Sequence, residues 1–124
     1  MDSMRHRMLD RDGITRHLSN DFESDIRFVL NNVTAIRHRA LKSAHFGDLE
    51  IHLIDETRQK GGSFKYRGAV LGVRNNPRGV VACGSGNFPI AVGLAASSLN
   101  VPALVVMPDD APQIKKRLAQ ESGS

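Results

Sequence analysis

Residues 79–107 read GVVACGSGNFPIAVGLAASSLNVPALVVM, and this stretch decides the fold. Its two apolar runs, Gly79–Cys83 and Ala103–Met107, have the length and continuity of strands that are buried on both faces. Between them lies a helical segment with Pro89 in its first turn and its end at about Leu99. Two strands joined through a helix by short connections form a βαβ unit, in which the strands are parallel. We therefore predict an α/β fold with a parallel sheet and flanking helices.

The connections around this helix carry turn chemistry. Gly84–Asn87 is a tight turn after the first strand, and Asn100 can adopt the left-handed conformation that closes the helix. Further along the chain, Ala111–Gln120 has the pattern of another helix. The βαβ unit is thus followed by a second helix.

The N-terminal part of the chain is less regular. Residues 1–20 lack sustained periodicity, and we expect them to form a mobile arm. A helix is predicted next, with Asn20 and Asp21 as candidate caps and its end at about Asn31–Asn32, whereas Ala35–Asp48 reads as irregular. The apolar positions of this helix are spaced as one helical face requires, and they are Phe22, Ile26, Val29, Leu30 and Val33.

A short strand and a second helix are predicted before the βαβ unit. The strand is Ile51–Ile54, and Ser63 is the predicted N-cap of a helix that stops around Asn75–Pro77. The residues that this helix would turn toward the core are Phe64, Gly68 and Leu71.

The composition is that of a soluble globular protein in a reducing compartment. Of the 124 residues, 40% are hydrophobic and 24% are charged, and the single cysteine, Cys83, excludes an internal disulfide. The charged N-terminus lacks the apolar run of a signal peptide, and no stretch is long enough to span a membrane. We therefore expect a cytoplasmic protein without a membrane partner.

The net charge of +4 suits an anionic partner, which could be a nucleic acid, a phosphate ligand or a carboxylate substrate. Basic residues are interleaved with acidic ones except in Arg37–Arg39 and Lys115–Arg117, and both of these runs fit solvated helix faces and ends. Aromatic residues make up 5% of the chain, too few for a stacking platform. We expect no nucleic-acid partner.

The Gly84–Asn87 turn stands where parallel α/β sheets bind ligands, at the carboxyl end of a strand and the amino end of a helix. Free backbone N–H groups and the helix dipole favour an anion there. Pro89 occupies the place of the third glycine of a dinucleotide fingerprint, and no GK[ST] follows as in a P-loop. The pattern leaves two alternatives, an anion site and a plain turn.

Lys65 presents a second choice between chemistry and packing. It stands at the predicted start of a helix, where the positive end of the dipole disfavours a cation, more so if Phe64 and the sheet exclude water. A neutral amine is what Schiff-base formation with an aldehyde requires. The other interpretation is a lysine that extends along an apolar surface into solvent. Ser85 has no recognisable His/Asp partner and the five histidines lack metal-binding spacing, so neither a hydrolase triad nor a metal site is predicted.

Two segments together resemble one known family. Glu56–Ala69 reads ETRQKGGSFKYRGA and closely resembles the E-x-x-Q-x-T-G-S-F-K-x-R-G-A signature of pyridoxal-phosphate enzymes of the tryptophan-synthase-β fold type (fold type II). Gly84–Asn87 is similar to the S-S-G-N-H loop of the serine/threonine dehydratase and serine racemase branch. Val101–Lys115 is similar to the I-P-A-x-x-V-M-P-x-x-A-P-x-x-K stretch that follows in that branch. The motifs stand in the family's order and spacing.

The resemblance implies pyridoxal 5'-phosphate as the cofactor. Lys65 would form a Schiff base with its aldehyde and act as the proton-shuttling base on one face of the substrate. Phe64 would pack beside the cofactor, and Asn87 would hydrogen-bond the oxygen at position 3 of its pyridine ring. The cofactor would supply the electron sink, and the protein orientation and electrostatics.

The resemblance also implies an amino-acid substrate of the serine/threonine class. Backbone N–H groups of Ser85, Gly86, Asn87 and Phe88 would hold its carboxylate. The implied reaction removes the α-proton and the β-hydroxyl group, which gives a 2-keto acid and ammonia. Racemisation is the alternative, since Ser85 matches the serine that is the opposite-face acid/base in the racemases. Family members are homo-oligomers, which implies self-association.

The chain departs from the family pattern at four places. The family has threonine at Gly61, lysine at Ile54 and histidine at Phe88, and its upstream T-P-L is Arg39–Leu41 here. These departures bear on substrate contacts more than on cofactor chemistry.

Members of the family are longer, two-domain proteins. By their layout, residues 21–77 correspond to the start of the large domain with the lysine helix, and residues 78–124 to the start of the small βαβ domain. Neither domain would be complete, and the family's glycine-rich phosphate loop has no counterpart in the matched part. We therefore expect a truncated chain, a gene fragment or a remnant that serves as a non-catalytic binding module, and weak cofactor binding by the chain alone.

Overall fold

The structure is a computed structural model that describes the backbone of residues 7–9 and 15–17 and, with side chains, residues 22–42, 45, 47 and 49–123. Six strands, four α-helices and one 3-10 turn lie in this part of the chain. In order they are β1 (Arg7–Leu9), β2 (Thr15–His17), α1 (Phe22–Asn32), β3 (Arg37–Lys42), β4 (Glu50–Asp55), the 3-10 turn (Lys60–Gly62), α2 (Lys65–Arg74), β5 (Val80–Cys83), α3 (Asn87–Leu99), β6 (Ala103–Val106) and α4 (Gln113–Glu121).

The predicted βαβ unit is confirmed and makes the fold α/β. β5 and β6 pair in parallel, with Val80 opposite Ala103 and Cys83 opposite Val106, and α3 connects them. Two antiparallel pairs, β1–β2 and β3–β4, accompany this parallel sheet. Asn100 has φ 54° and ψ 41°, so it closes α3 in the left-handed conformation as predicted.

One core is shared by α2, β5 and α3. Tyr66 and Val70 of α2 have no exposed surface, and they pack with Ala82 of β5. The facing side of α3 consists of small residues, which lets the helix approach its neighbours closely. Its buried members in this core are Ala91, Val92, Ala95 and Ala96.

β5 and β6 are covered on one face, which corrects the prediction that both faces are buried. Ala82 faces the core with 4% of its surface exposed, whereas Val81 is 72% exposed, Leu104 59% and Val106 50%. A continuous apolar strand is buried on both faces only where another element packs on each face of its sheet. Within the described residues, α3 covers one face of this pair.

β3 corrects the prediction that Ala35–Asp48 is irregular. Arg37–Lys42 forms a strand that pairs antiparallel with β4, from Arg37 opposite Asp55 to Lys42 opposite Glu50. All six residues of β3 are exposed. The strand therefore has no buried face to produce an apolar alternation, and the sequence pattern could not reveal it.

α2 differs from its prediction at its start and in its buried face. Ser63 is extended, with φ −156° and ψ 160°, and the helix begins after Phe64, without a side-chain cap. Phe64 is 60% exposed and Gly68 is exposed, so neither turns toward the core. The face of α2 that packs into the core is instead an apolar stripe with the spacing i, i+3, i+4 and i+7. Its buried members are Tyr66, Ala69, Val70 and Val73.

α1 has its predicted extent, but only part of its predicted apolar face packs against the core. Val29 and Val33 pack against the core together with Phe28, whereas Ile26 and Leu30 are 42% and 63% exposed. The candidate caps at positions 20 and 21 lie outside the described residues. Most of the arm 1–20 does so too, and its mobility stays a prediction, as does the division into 21–77 and 78–124.

Candidate functional site

Lys65 is the first residue of α2, and its side chain is exposed. The Nζ atom lies 4.5 Å from the centre of the Phe64 ring, a distance at which an ammonium group is attracted to the aromatic face. Among the residues that the structure describes, no carboxylate forms an ion pair with Lys65. The amine is therefore accessible to a carbonyl compound from solvent.

The 3-10 turn in front of Lys65 lies directly on α3. Gly61 has φ 74°, in the left-handed region that favours glycine. A Cβ atom at this position would be 3.1 Å from Cδ1 of Leu94 and 3.8 Å from Cγ2 of Ile90. The absence of a side chain at Gly61 therefore lets the lysine segment pack on the helix that carries the second motif.

A polar cluster fixes the lysine helix to the segment after α1. Arg67 Nε donates to Glu56 Oε1 at 2.7 Å, and both side chains are largely buried. Gln59 is 5% exposed, and its amide makes two hydrogen bonds with the backbone of Thr34, at 3.0 and 3.1 Å. The family signature contains all three side chains, and their packing role was not evident from spacing alone.

Tyr66 joins the start of α2 to the far end of α3. Its hydroxyl group donates to Ser98 Oγ at 3.3 Å and accepts from Lys60 Nζ at 3.3 Å. The ring is fully buried, so both hydroxyl contacts are made at the edge of the core. These contacts hold the residue next to Lys65 in one position.

Asp55 begins the turn that leads into this motif. Its Oδ1 atom accepts from Thr57 Oγ1 at 2.6 Å and from Thr57 N at 2.9 Å. These hydrogen bonds, and the charges of Arg39 and Arg37, hold the pKa of Asp55 below its ordinary value. The carboxylate form is thus the one that shapes the turn.

The Gly84–Asn87 loop follows β5 at its carboxyl end, as predicted. Gly86 is the N-cap of α3 and has no side chain, so the capping residue itself offers no acceptor to the first-turn N–H groups of α3. A Cβ atom at Gly86 would meet no atom within 4 Å, which shows that the space beside the loop is open. Ser85 is exposed and Phe88 is 45% exposed. The loop therefore presents donors to solvent, the arrangement that an anion requires.

Asn87 has a partner that the sequence did not indicate. It is the first residue of α3, and its Oδ1 atom accepts a hydrogen bond from Lys115 Nζ of α4. Lys115 belongs to the downstream stretch that resembles the family, and this position is the signal that could have pointed to it.

The structure places both motifs on one packed pair of helices. Lys65 and Asn87 are each the first residue of a helix, α2 and α3, and these helices share the core. The two side chains do not hydrogen-bond each other: Lys65 lies over Phe64, and Asn87 contacts Lys115. A ligand that used both would have to bridge them.

A cleft lies at the opposite end of the parallel strands. Its walls are the segment 75–81 and the segment 102–104, around the amino ends of β5 and β6. Parallel α/β folds bind ligands at the carboxyl ends of their strands. We therefore place the candidate site at the Gly84–Asn87 loop and not in this cleft.

The site residues fit pyridoxal phosphate in part. An accessible amine is available for an aldehyde, an amide for a ring oxygen, and uncapped N–H groups for a carboxylate. Residues 30–124 match the family model described as "Pyridoxal-phosphate dependent enzyme". The chain belongs to this family, whose cofactor is pyridoxal phosphate.

Curated relatives are ammonia-lyases and racemases. The chain is 44% identical over 71 residues to L-threo-3-hydroxyaspartate ammonia-lyase of Saccharomyces cerevisiae, which covers 53% of the chain and 22% of that protein. It is 42% identical over 87 residues to L-threonine ammonia-lyase of Thermotoga maritima, covering 66% and 21%. It is 42% identical over 77 residues to serine racemase of Bos taurus, covering 56% and 23%.

A solved structure has the same fold. A pyridoxal 5'-phosphate-dependent aspartate racemase superposes with a TM-score of 0.71 at 27% identity, over 84% of this chain and 35% of that one. The chain thus spans about a fifth of the length of the curated relatives it matches, and about a third of that racemase. Within the part of the chain that the structure describes, no helix has the length and apolarity needed to cross a membrane.

Proposed function

We propose that this chain carries the Schiff-base lysine and the substrate loop of a pyridoxal-phosphate-dependent L-serine/L-threonine ammonia-lyase. The observation that carries the proposal is Lys65, an accessible amine to which no carboxylate of the described residues is paired, at the start of a helix packed on the one that begins with the Gly84–Asn87 loop. Both elements lie in the family's order. The cytoplasmic location and self-association expected from the sequence are part of the same proposal.

The cofactor, when bound, withdraws electrons from the α-carbon of the amino acid. In the proposed reaction the Lys65 amine would hold the cofactor aldehyde and, once displaced there by the amino group of the substrate, the freed amine would take the α-proton. Loss of that proton and of the β-hydroxyl group gives, after hydrolysis, a 2-keto acid and ammonia. Phe64 supports the lysine, whose Nζ atom lies 4.5 Å from the centre of its ring.

The loop binds the other end of the substrate in this proposal. Uncapped N–H groups at Gly86 and Asn87 receive the carboxylate, and Phe88 borders it. The Asn87 amide donates to the oxygen at position 3 of the cofactor ring. These contacts orient the substrate and exclude water from the side of the substrate that faces the loop. Orientation and electrostatic stabilisation are what the protein contributes to the reaction.

Racemisation is the second candidate, and the exposure of Ser85 on the same loop favours it. A hydroxyl group there can return a proton to the face of the α-carbon opposite Lys65. A non-catalytic remnant that binds a carboxylate metabolite through the loop is the third. The first two candidates give different products from the same substrates, and the third gives none.

The first test is a titration of the chain with pyridoxal phosphate, followed by visible absorbance. We expect a band that is lost in Lys65→Ala and retained in Lys60→Ala, a matched control because Lys60 lies five residues earlier and contacts Tyr66. Equal spectra for the two variants would contradict the assignment of Lys65. Incubation with L-serine and L-threonine then separates the candidates: keto acid indicates a lyase, D-serine a racemase, and a band without turnover the remnant.

A further inference from the structure

Lys115 contacts the one side chain of the loop that we propose to touch the cofactor. It lies in the first turn of α4, and its Nζ atom donates to Oδ1 of Asn87, 28 residues earlier in the sequence. Both side chains are partly buried. Within the described residues, no carboxylate pairs with Lys115, so the amide oxygen is its hydrogen-bond acceptor here.

An asparagine amide has an acceptor end and a donor end, and either could face a ligand. An ammonium group has only donors, so it attracts the oxygen and repels the NH₂ group. Oδ1 of Asn87 has two lone pairs; Lys115 uses one and places a positive charge beside the oxygen, so Nδ2 is the end of the amide that remains for a ligand. The charge also polarises the amide and strengthens Nδ2 as a donor.

We propose that Lys115 is a positioning residue that fixes the amide of Asn87 so that Nδ2 faces the ligand. The inference deepens the proposed function and rests on it for the identity of that ligand. An oxygen that accepts a hydrogen bond, such as the ring oxygen of the cofactor, is the chemistry that this orientation selects. A ligand donor at the same place would be rejected, because it would meet a donor.

Lys116 provides a matched control for the charge and the helix. It follows Lys115 in α4, but its Nζ atom donates to the backbone oxygen of Asp109 at 2.5 Å. Replacing either lysine by methionine removes one positive charge from the same turn and keeps most of the side-chain length. Only Lys115→Met frees Asn87, and Lys115→Arg keeps a charged donor.

The first measurement uses the free chain and needs no cofactor. The side-chain NH₂ resonances of Asn87, identified by their loss in Asn87→Ala, should shift in Lys115→Met and stay in Lys116→Met. Lys115→Arg should keep them near their original positions. Unchanged resonances in Lys115→Met would overturn the inference.

The second measurement is the dissociation constant of pyridoxal phosphate in a double-mutant cycle of Lys115→Met and Asn87→Ala. We expect Lys115→Met to weaken binding about tenfold, as the loss of one charge-assisted hydrogen bond does. Lys116→Met should have no such effect, and Lys115→Met should add little in the Asn87→Ala background. Additive effects, or equal effects of the two lysine variants, would overturn the inference. If the chain shows no Lys65-dependent band, the proposed function fails, while the resonances of the free chain still decide whether Lys115 orients Asn87.

Discussion

Gly61 shows how one residue allows the lysine motif to reach α3. Its φ of 74° favours glycine, and a Cβ atom here would lie 3.1 Å from Cδ1 of Leu94, so the leucine would have to shift. The family pattern has threonine at this position, where this chain has no side chain.

Restoring the family threonine should therefore destabilise the chain. Gly62 is a matched control, because its φ of 67° imposes a similar backbone strain but a Cβ atom there meets nothing within 4 Å. We expect Gly62→Thr to cost about 1–2 kcal/mol from strain alone. Gly61→Thr should cost about 1 kcal/mol more, from the contact with Leu94. Urea unfolding of both variants measures the difference, and equal midpoints would contradict the contact.

At the residue scale, the sequence could name candidate site residues but not the contacts that orient them. Lys65 and Asn87 could be named because the motifs that contain them are specific. The partner of Asn87 could not, because Lys115 is distant in sequence and meets the loop only when α4 packs on α3. Ser63 was wrong as a cap because the backbone of the preceding glycines sets where the helix begins.

At the scale of elements, the polar cluster around Gln59 connects the segments that follow α1 and β4 with α2. Glu56 and Arg67 are 11 residues apart and meet at 2.7 Å, with side chains 15% and 24% exposed. Arg117 and Glu121 form an exposed pair on α4 at 3.6 Å, with side chains 66% and 61% exposed. The two pairs join the same kinds of groups in different environments.

Double-mutant cycles should separate these two ion pairs. We expect a coupling free energy of about 1.5–3 kcal/mol between Glu56 and Arg67, because solvent screens them little and the geometry is good. The coupling between Arg117 and Glu121 should be about 0.3–0.5 kcal/mol, as for exposed helix pairs. Glutamine replaces each residue, and unfolding in urea gives the energies. Similar coupling in both pairs would show that the cluster does not hold the lysine helix.

Elements with a long apolar run could be predicted, and so could the short strand β4, whereas the fully exposed β3 could not. α3, β5 and β6 carry long apolar runs, and each was found close to its predicted bounds. β3 is held by backbone pairing and by charges such as Lys42 with Glu50 at 3.5 Å. Neither the strand propensity of its residues nor the periodicity of its apolar positions predicts such a strand.

At the scale of the whole molecule, the parallel pair has one apolar face in solvent. Val81 and Val106 lie on this face, and their burial within the described chain is small. The sequence pattern predicted correctly that these segments are parallel strands. It could not show which elements would cover their two faces. Coverage depends on the complete set of packed elements, and not on the strand itself.

Polar replacements on this face should therefore leave stability nearly unchanged. We expect Val81→Thr with Val106→Thr to alter the free energy of unfolding by about 0.5 kcal/mol or less and to lower the fluorescence of a dye that binds apolar surface. Val70→Thr is the control, because Val70 is fully buried. It should cost about 1–3 kcal/mol for the buried hydroxyl group. A large loss of stability in the double variant would show that the face is packed.

The central claim is that Lys65 is the Schiff-base lysine. The most direct measurement is to incubate the chain with millimolar pyridoxal phosphate, reduce it with borohydride and identify the modified lysines by mass spectrometry. Reduction traps even weakly bound cofactor, so the low affinity expected of the chain does not obscure the result. We predict that Lys65 is modified in preference to Lys60 and Lys116, and that Asn87→Ala lowers this preference. Modification spread over the exposed lysines, with Lys65 no more reactive than Lys116, would contradict the claim.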